Sequence, residues 1–349
     1  MALHILEGFE TFGAVGTSGF TLNTAMGRRY TVRGHATEAY NPELVTGWGG
    51  GAALEWNCSE YCYFVCNLPD AYQYIIAGFA YKIPSTRLYT NVSERSIVQG
   101  QAWNADSHFW LWLGQSGQIR VYVGTSSPVY LGSTSRGLKQ GEWAYIELKT
   151  YTHATLGTFE IRINGESVFS YSGDTRYGTT EYTTKIVFWD IDMCALDDIY
   201  IMGNNDDSDT YLGPVKVERL APTADGAASD WSPSANADHY TLVDETPANA
   251  TDYVEASTPG DEELFGYANT TLASVAAVQI TSDIAANGGF CQVKHKYRAG
   301  DANTYDCTTF GIVDATIAEK SEILETDPNT SAAWSTTNLN AAQFGAEMG

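Results

Sequence analysis

The chain has 349 residues with 19 Lys+Arg against 42 Asp+Glu, a formal net charge of −23. That balance excludes a nucleic-acid grip by bulk charge, because neutralising phosphates takes a basic patch. Hydrophobic residues make up 44% of the chain, with 22 Tyr, 13 Phe and 9 Trp. These are too many core formers for a disordered polypeptide, and at about 150 residues per domain the length predicts two domains.

No apolar run approaches the roughly 18 residues needed to cross a bilayer, so membrane insertion is not expected. The first ten residues carry Glu7 and Glu10 where a secretion signal is basic. Synthesis and folding in a cytoplasm are therefore expected, and the sequons at Asn57, Asn91, Asn249, Asn269 and Asn329 read as unglycosylated. Gly47–Gly51 is glycine-rich but leads into no βαβ unit and reads as a turn. Period-2 alternation then predicts strands Tyr61–Cys66, Tyr72–Ile83, Ser96–Trp103, His108–Leu113, Ile119–Val123 and Trp143–Thr150. It continues through Thr158–Ile163, Glu166–Tyr171, Lys185–Ile191 and Asp198–Met202. Between Phe159 and Phe169, Asn164-Gly165 supplies the two positive-φ residues of a type I′ hairpin. Many short strands at this spacing make the fold class all-β, a two-sheet sandwich.

After Gly203 the composition turns polar and anionic, and Gly213-Pro214 breaks any regular element. The expected division is a sandwich over 1–203, an acidic linker over 204–214 and a second, smaller β-sandwich over 215–349. Asn204 to Glu263 holds 14 Asp+Glu against 2 Lys+Arg, which reads as a solvated, loop-rich surface. Further strands are expected at Ser274–Ile280, Phe290–Arg298 and Thr308–Val313. The tail from Leu339 to Met348 fits either a helical turn or a last strand.

Tyr74–Lys82, Gly141–Leu148, Ile161–Val168 and Leu196–Ile201 come in an order that resembles the concanavalin A-like lectin/glucanase jelly roll in its laminin-G-like form. The resemblance implies a fold rather than an activity, because lectins, hydrolases and inert modules share it. Leu220–Gly226, Ser229–Pro233, Tyr240–Glu245, Asp252–Val254 and Thr326–Trp334 resemble a block in tailed-bacteriophage and prophage structural proteins, where a laminin-G-like sandwich precedes a second β-domain. This second resemblance implies a virion component and brings no catalytic residues.

The expected function is a non-enzymatic structural protein on the exterior of a tailed-phage virion, as a head-decoration, collar or tail-surface component. It would be assembled in the host cytoplasm, be homo-oligomeric and contact other virion proteins. The exterior is favoured because packaged DNA repels a chain of charge −23. The alternative is a carbohydrate-binding adhesin or receptor-binding tail protein that engages a host surface glycan. Its candidate glycan or subunit contacts are Trp110 and Trp112, which alternation places on one face of their strand.

Catalytic constellations are incomplete. Trp189–Ala195 resembles the Glu-x-Asp-x-x-Glu signature of laminarinase-type glycosidases, with Asp190 and Asp192 on one face, but Cys194 or Ala195 holds the distal acid position. Retaining hydrolysis needs two carboxyls about 5 to 5.5 Å apart, so this reading is disfavoured. His4, His35, His108, His153, His239 and His295 are scattered, with no His-x-x-x-His, no Gly-x-Ser-x-Gly and no phosphate-cradling loop. No cofactor is expected apart from a weak case for calcium. Asp206, Asp207 and Asp209 offer the oxygen ligands that calcium takes, without the spacing of a calcium loop. Cys58, Cys62 and Cys66 recur every four residues, roughly 13 Å apart on a straight strand, too far to pair with one another. They read as small buried hydrophobes, and cross-strand pairing with Cys194, Cys291 or Cys307 stays open.

Overall fold

The computed structural model describes residues 3–33, 42–56, 62–85, 95–125, 127–189, 194–235 and 237–349. Two units divide the chain, Met1–Glu218 and Arg219–Gly349. The first begins with β1 (Leu3–Glu7), a 3-10 turn at Glu10–Phe12, α1 (Gly19–Met26), β2 (Thr31–Arg33), β3 (Pro42–Thr46) and β4 (Ala52–Trp56). It continues with β5 (Tyr63–Tyr72), β6 (Tyr74–Lys82), β7 (Arg95–Gln101), β8 (Ser107–Leu113), β9 (Ile119–Val123) and β10 (Val129–Ser133). Then come β11 (Trp143–Tyr151), β12 (Gly157–Ile163), β13 (Glu166–Gly173), β14 (Thr183–Trp189) and β15 (Ala195–Asn204).

These strands form two large antiparallel sheets. The first runs β13-β12-β11-β6-β15-β4-β3, with β1 also paired to β15, and the second runs β10-β9-β8-β7-β14-β5-β2. The inward side chains of both sheets make one core: Phe79 of the first meets Phe188 of the second edge-on at 5.5 Å, and Phe109 meets Phe159 at 5.4 Å. Each buried Phe contributes about 1.5–3 kcal/mol by leaving water, and ring geometry adds about 0.5–1.5 kcal/mol per pair. Asn164 and Gly165, at φ 52° and 79°, close the β12–β13 hairpin as the sequence predicts. The first 56 residues also enter this sandwich, through β1 to β4 and through Leu22, Ala25 and Met26 of α1.

The acidic segment after β15 is not a linker. Lys149 binds Asp207 at 2.6 Å and the carbonyl of Asp209 at 2.8 Å, and the Tyr211 hydroxyl donates to Glu160 at 3.1 Å under the guanidinium of Arg162. The N–H groups of Leu212, Gly213 and Val217 donate to the Tyr200 hydroxyl, Glu147 and Asp198. Residues 205–217 thus form a strap on the outer face of the first sheet, and the divide falls at 218/219 instead of across 204–214. Charge made the segment read as solvated, whereas backbone donors finding buried acceptors decide its place.

The second unit is a smaller sheet domain. It contains β16 (Pro222–Ser229), β17 (Ser232–Pro233), β18 (Val254–Glu255), β19 (Glu262–Tyr267), β20 (Val278–Ile284), β21 (Cys291–Arg298), β22 (Thr304–Ile312), β23 (Ala318–Leu324), α2 (Thr336–Asn340) and β24 (Gln343–Met348). The five-stranded sheet β16-β19-β24-β21-β22 is joined by the ribbon β20-β23, which packs on Tyr297, Trp334 and Phe344 through Val278, Ile280 and Leu324. The tail is both of the expected alternatives in succession: Ser335 caps α2 by accepting from Asn338, and β24 follows as a central strand.

Candidate functional site

Phe109, Leu111 and Leu113 of β8 enter the core, so alternation turns Trp110 and Trp112 to the outer face of the second sheet. The same parity turns out Tyr63 of β5, Trp189 of β14 and Tyr122 of β9, and Tyr130 of β10 lies opposite Tyr122. Their ring centroids form a chain: Tyr63 to Trp189 4.5 Å, Trp189 to Trp110 5.8 Å, Trp110 to Trp112 6.2 Å, Trp112 to Tyr122 4.5 Å and Tyr122 to Tyr130 5.3 Å. Six rings therefore cross the strands from β5 to β10, a span of about 24 Å at roughly 4.8 Å per strand.

β7 contributes no ring to this strip, and Gln99 fills its place. It accepts from the Trp189 indole N–H at 2.7 Å and donates to the Ser107 hydroxyl, which fixes the indole's orientation. Five rings are half-buried, and Tyr130 at one end is 52% exposed. The indole N–H groups of Trp110 and Trp112 are buried without a hydrogen-bond partner among the described residues. An unsatisfied buried donor costs about 1–3 kcal/mol. Stability alone would not select this arrangement.

The outer face of the first sheet is chemically opposite. Glu147, Gly78 and Tyr200 lie in register across β11, β6 and β15, and the Tyr200 ring occupies the space a side chain at Gly78 would need, with a Cβ there 2.1 Å from a ring carbon. That ring carries the Tyr200 hydroxyl to Glu147 at 2.6 Å, under the strap. Around the Gly47–Gly51 turn, Asp197 accepts from the Trp48 N–H at 2.7 Å, Glu10 accepts from the Ala52 N–H, and Asp198 accepts from the Val217 N–H at 2.6 Å. Burial, reinforced by mutual repulsion, pushes Asp197 up to about 9 and Glu10 up to about 8. Burial likewise raises Asp198 to about 7, against the pull of the Val217 N–H and Lys216. Asp197 and Glu10 hold protons at neutral pH, and Asp198 stands near its midpoint. No group of three or more His, Cys, Asp or Glu converges to hold a metal ion among the described residues.

Of the residues singled out in the sequence, Trp110 and Trp112 stand at the middle of the aromatic strip. Asp206, Asp207 and Asp209 do not converge: Asp206 accepts from the Ser208 N–H, Asp207 pairs with Lys149, and Asp209 accepts from Asn204. Asp190, Asp192, His35 and Cys58 lie outside the described residues. Cys62 is disulfide-bonded, whereas Cys66, Cys291 and Cys307 are thiols outside any disulfide. β5 starts at Tyr63, so the straight-strand spacing does not reach Cys62; Cys62 and Cys66 are both fully buried in the core, as expected, and Cys66 is there as a thiol. The other His residues serve local structure, as in His295, held between Glu322 at 2.8 Å and Ser282 at 3.1 Å. Tyr63, Trp189, Tyr122 and Tyr130 escape sequence reasoning as site residues. Parity gives each one's face, but not which strands are neighbours.

No protein-family model matches the chain, and no curated protein matches it. Among solved structures it is similar to an endo-β-1,4-glucuronan lyase from the fungus Trichoderma reesei (11% identity, 50% of this chain and 90% of that one, TM-score 0.40). It is also similar to the alginate lyase vAL-1 from Chlorella virus (11% identity, 55% and 100%, TM-score 0.37). A third is the carbohydrate-binding module CBM66 from Bacillus subtilis (8% identity, 50% and 96%, TM-score 0.32).

Proposed function

We propose that this protein is a non-enzymatic carbohydrate-binding adhesin whose glycan lies along the aromatic strip of the second sheet. The six-ring strip carries this reading. Pyranose rings present C–H faces that pack on aromatic faces, and a strip crossing six strands suits an elongated chain of sugars better than a compact ligand. Gln99 locks the Trp189 indole, so part of the platform is ordered before binding, which lowers the entropy lost on association. A glycan array followed by titration calorimetry on the best hit tests it. Binding is expected, and Trp110→Ala and Trp112→Ala are expected to weaken it while the melting transition stays cooperative. A folded wild type that retains no glycan on the array overturns the reading.

The sequence block from Leu220 to Trp334 favours placing this adhesin on the exterior of a tailed-phage particle. Mass spectrometry of gradient-purified particles is expected to find the chain with intact virions. Its presence in the soluble lysate alone overturns that placement.

A further inference from the structure

The face that bears the strip has a charge of its own. Acidic residues outnumber basic ones by more than two to one in the whole chain. Yet the described outward positions of β2, β5, β14, β7, β8 and β9 that share the strip's parity hold no Asp or Glu. Three of them hold cations. Arg33 stands beside Tyr63 with its guanidinium carbon 5.9 Å from the ring centroid. Arg120 is in register with Trp112, and Lys185 is in register with Gln101 and Asn67. From β2 to β9 is again roughly 24 Å, so the two arginines lie near opposite ends of the strip. A neutral sugar chain has no use for this pattern. Carboxylates spaced along the chain do, because each finds a charge-assisted partner and no Asp or Glu stands among these described outward strand positions to repel it.

We infer that the ligand is an acidic oligosaccharide, its sugar rings stacked on the strip and its carboxylates met by Arg33, Arg120 and Lys185. This rests on the glycan-binding reading and names the class of sugar. A nucleic-acid strand would also offer rings and anions. The net charge of −23 and the count of three cations among the described outward positions oppose it, since such strands bind through many phosphate contacts at once.

The test uses two matched pairs of probes that differ in charge on a common backbone: oligogalacturonate against its methyl ester, and carboxymethylcellulose against hydroxyethylcellulose. At low salt the carboxylated member of at least one pair is expected to bind about tenfold more tightly than its neutral partner, with the ratio shrinking as salt rises. In Arg33→Gln/Arg120→Gln/Lys185→Gln the ratio is expected to fall toward one, because the carboxylated member loses its cationic partners. Lys185→Gln alone serves should the triple variant not fold, with a smaller fall in the ratio expected. Equal binding within both pairs, or array hits confined to neutral glycans, overturns the acidic class and leaves glycan binding standing. No binding to any sugar overturns both. Oligodeoxythymidylate bound as tightly as the best carboxylated probe at equal salt makes the face a general polyanion site and overturns the inference.

Discussion

The two outer faces of the sandwich solve the problem of a sheet's second side in opposite ways. On the first sheet, Glu147, Asp197 and Asp198 are almost fully buried, because the chain returns over them as a strap that lends its N–H groups and the Tyr211 ring. On the second, the described outward positions include rings and cations and no Asp or Glu, and two indole N–H groups have no partner among the described residues. The strapped face invests most of its polar groups in the fold, with one carboxyl oxygen of Asp198 left unpartnered among the described residues. The aromatic face leaves its own unspent, at a cost in stability, and a surface that does so is where binding should be sought.

Substitutions can break this contrast. The largest effect is expected from Glu147→Ala, which removes the acceptor of the Tyr200 hydroxyl and the Gly213 N–H: a loss of about 3 kcal/mol in urea denaturation, with new proteolytic cleavage within 205–217. Trp110→Ala on the other face is expected to cost under about 2 kcal/mol, and a reversed order would refute the division of labour. Next in size is a pH effect confined to the strapped face. Asp198, Glu10 and Asp197 stand at about 7, 8 and 9 against ordinary values of 3.8, 4.5 and 3.8. Acids raised in this way add stability that is complete below their unfolded values and lost as pH climbs through the folded ones. The melting temperature is therefore expected to fall from about pH 4 to about pH 9, and Asp197→Asn to flatten that slope; a melting temperature that rises over this range would contradict it.

Smaller effects sharpen the comparison on the aromatic side. Trp189→Ala should weaken glycan binding about tenfold by calorimetry, while Glu160→Gln on the strapped face leaves affinity unchanged. Loss of affinity in both variants would mean that the strip is not the site. Tyr130→Ala, at the exposed end of the strip, is expected to cost about threefold in affinity and less than about 0.5 kcal/mol in stability.

Alternation made much of the sandwich legible. β9 spans the five expected residues, and the Asn164-Gly165 hairpin sits where turn chemistry put it. β1 and β2 were not legible: they are short, and their partners, β15 and β5, supply through packing the reason to be strands. Trp110 and Trp112 stood out because they share a strand. Trp189 and Tyr63 did not, because they meet Trp110 only once the order β8-β7-β14-β5 is known. The strap misled for a different reason. Its acids describe a solvated segment, while its hold comes from backbone donors, from Tyr211 and from the pairing of Asp207 with Lys149, which no hydropathy pattern weighs.

The aromatic strip also has a spectroscopic consequence. The indole planes of Trp110 and Trp112 meet at 83°, those of Trp110 and Trp189 at 30°, with centroids no more than 6.2 Å apart. Chromophores held this close and at fixed angles share their excitation, which gives coupled bands in near-ultraviolet circular dichroism and moves energy between rings before emission. A molecule settling on that surface changes the coupling directly, so the protein carries an intrinsic optical reporter at its own binding face.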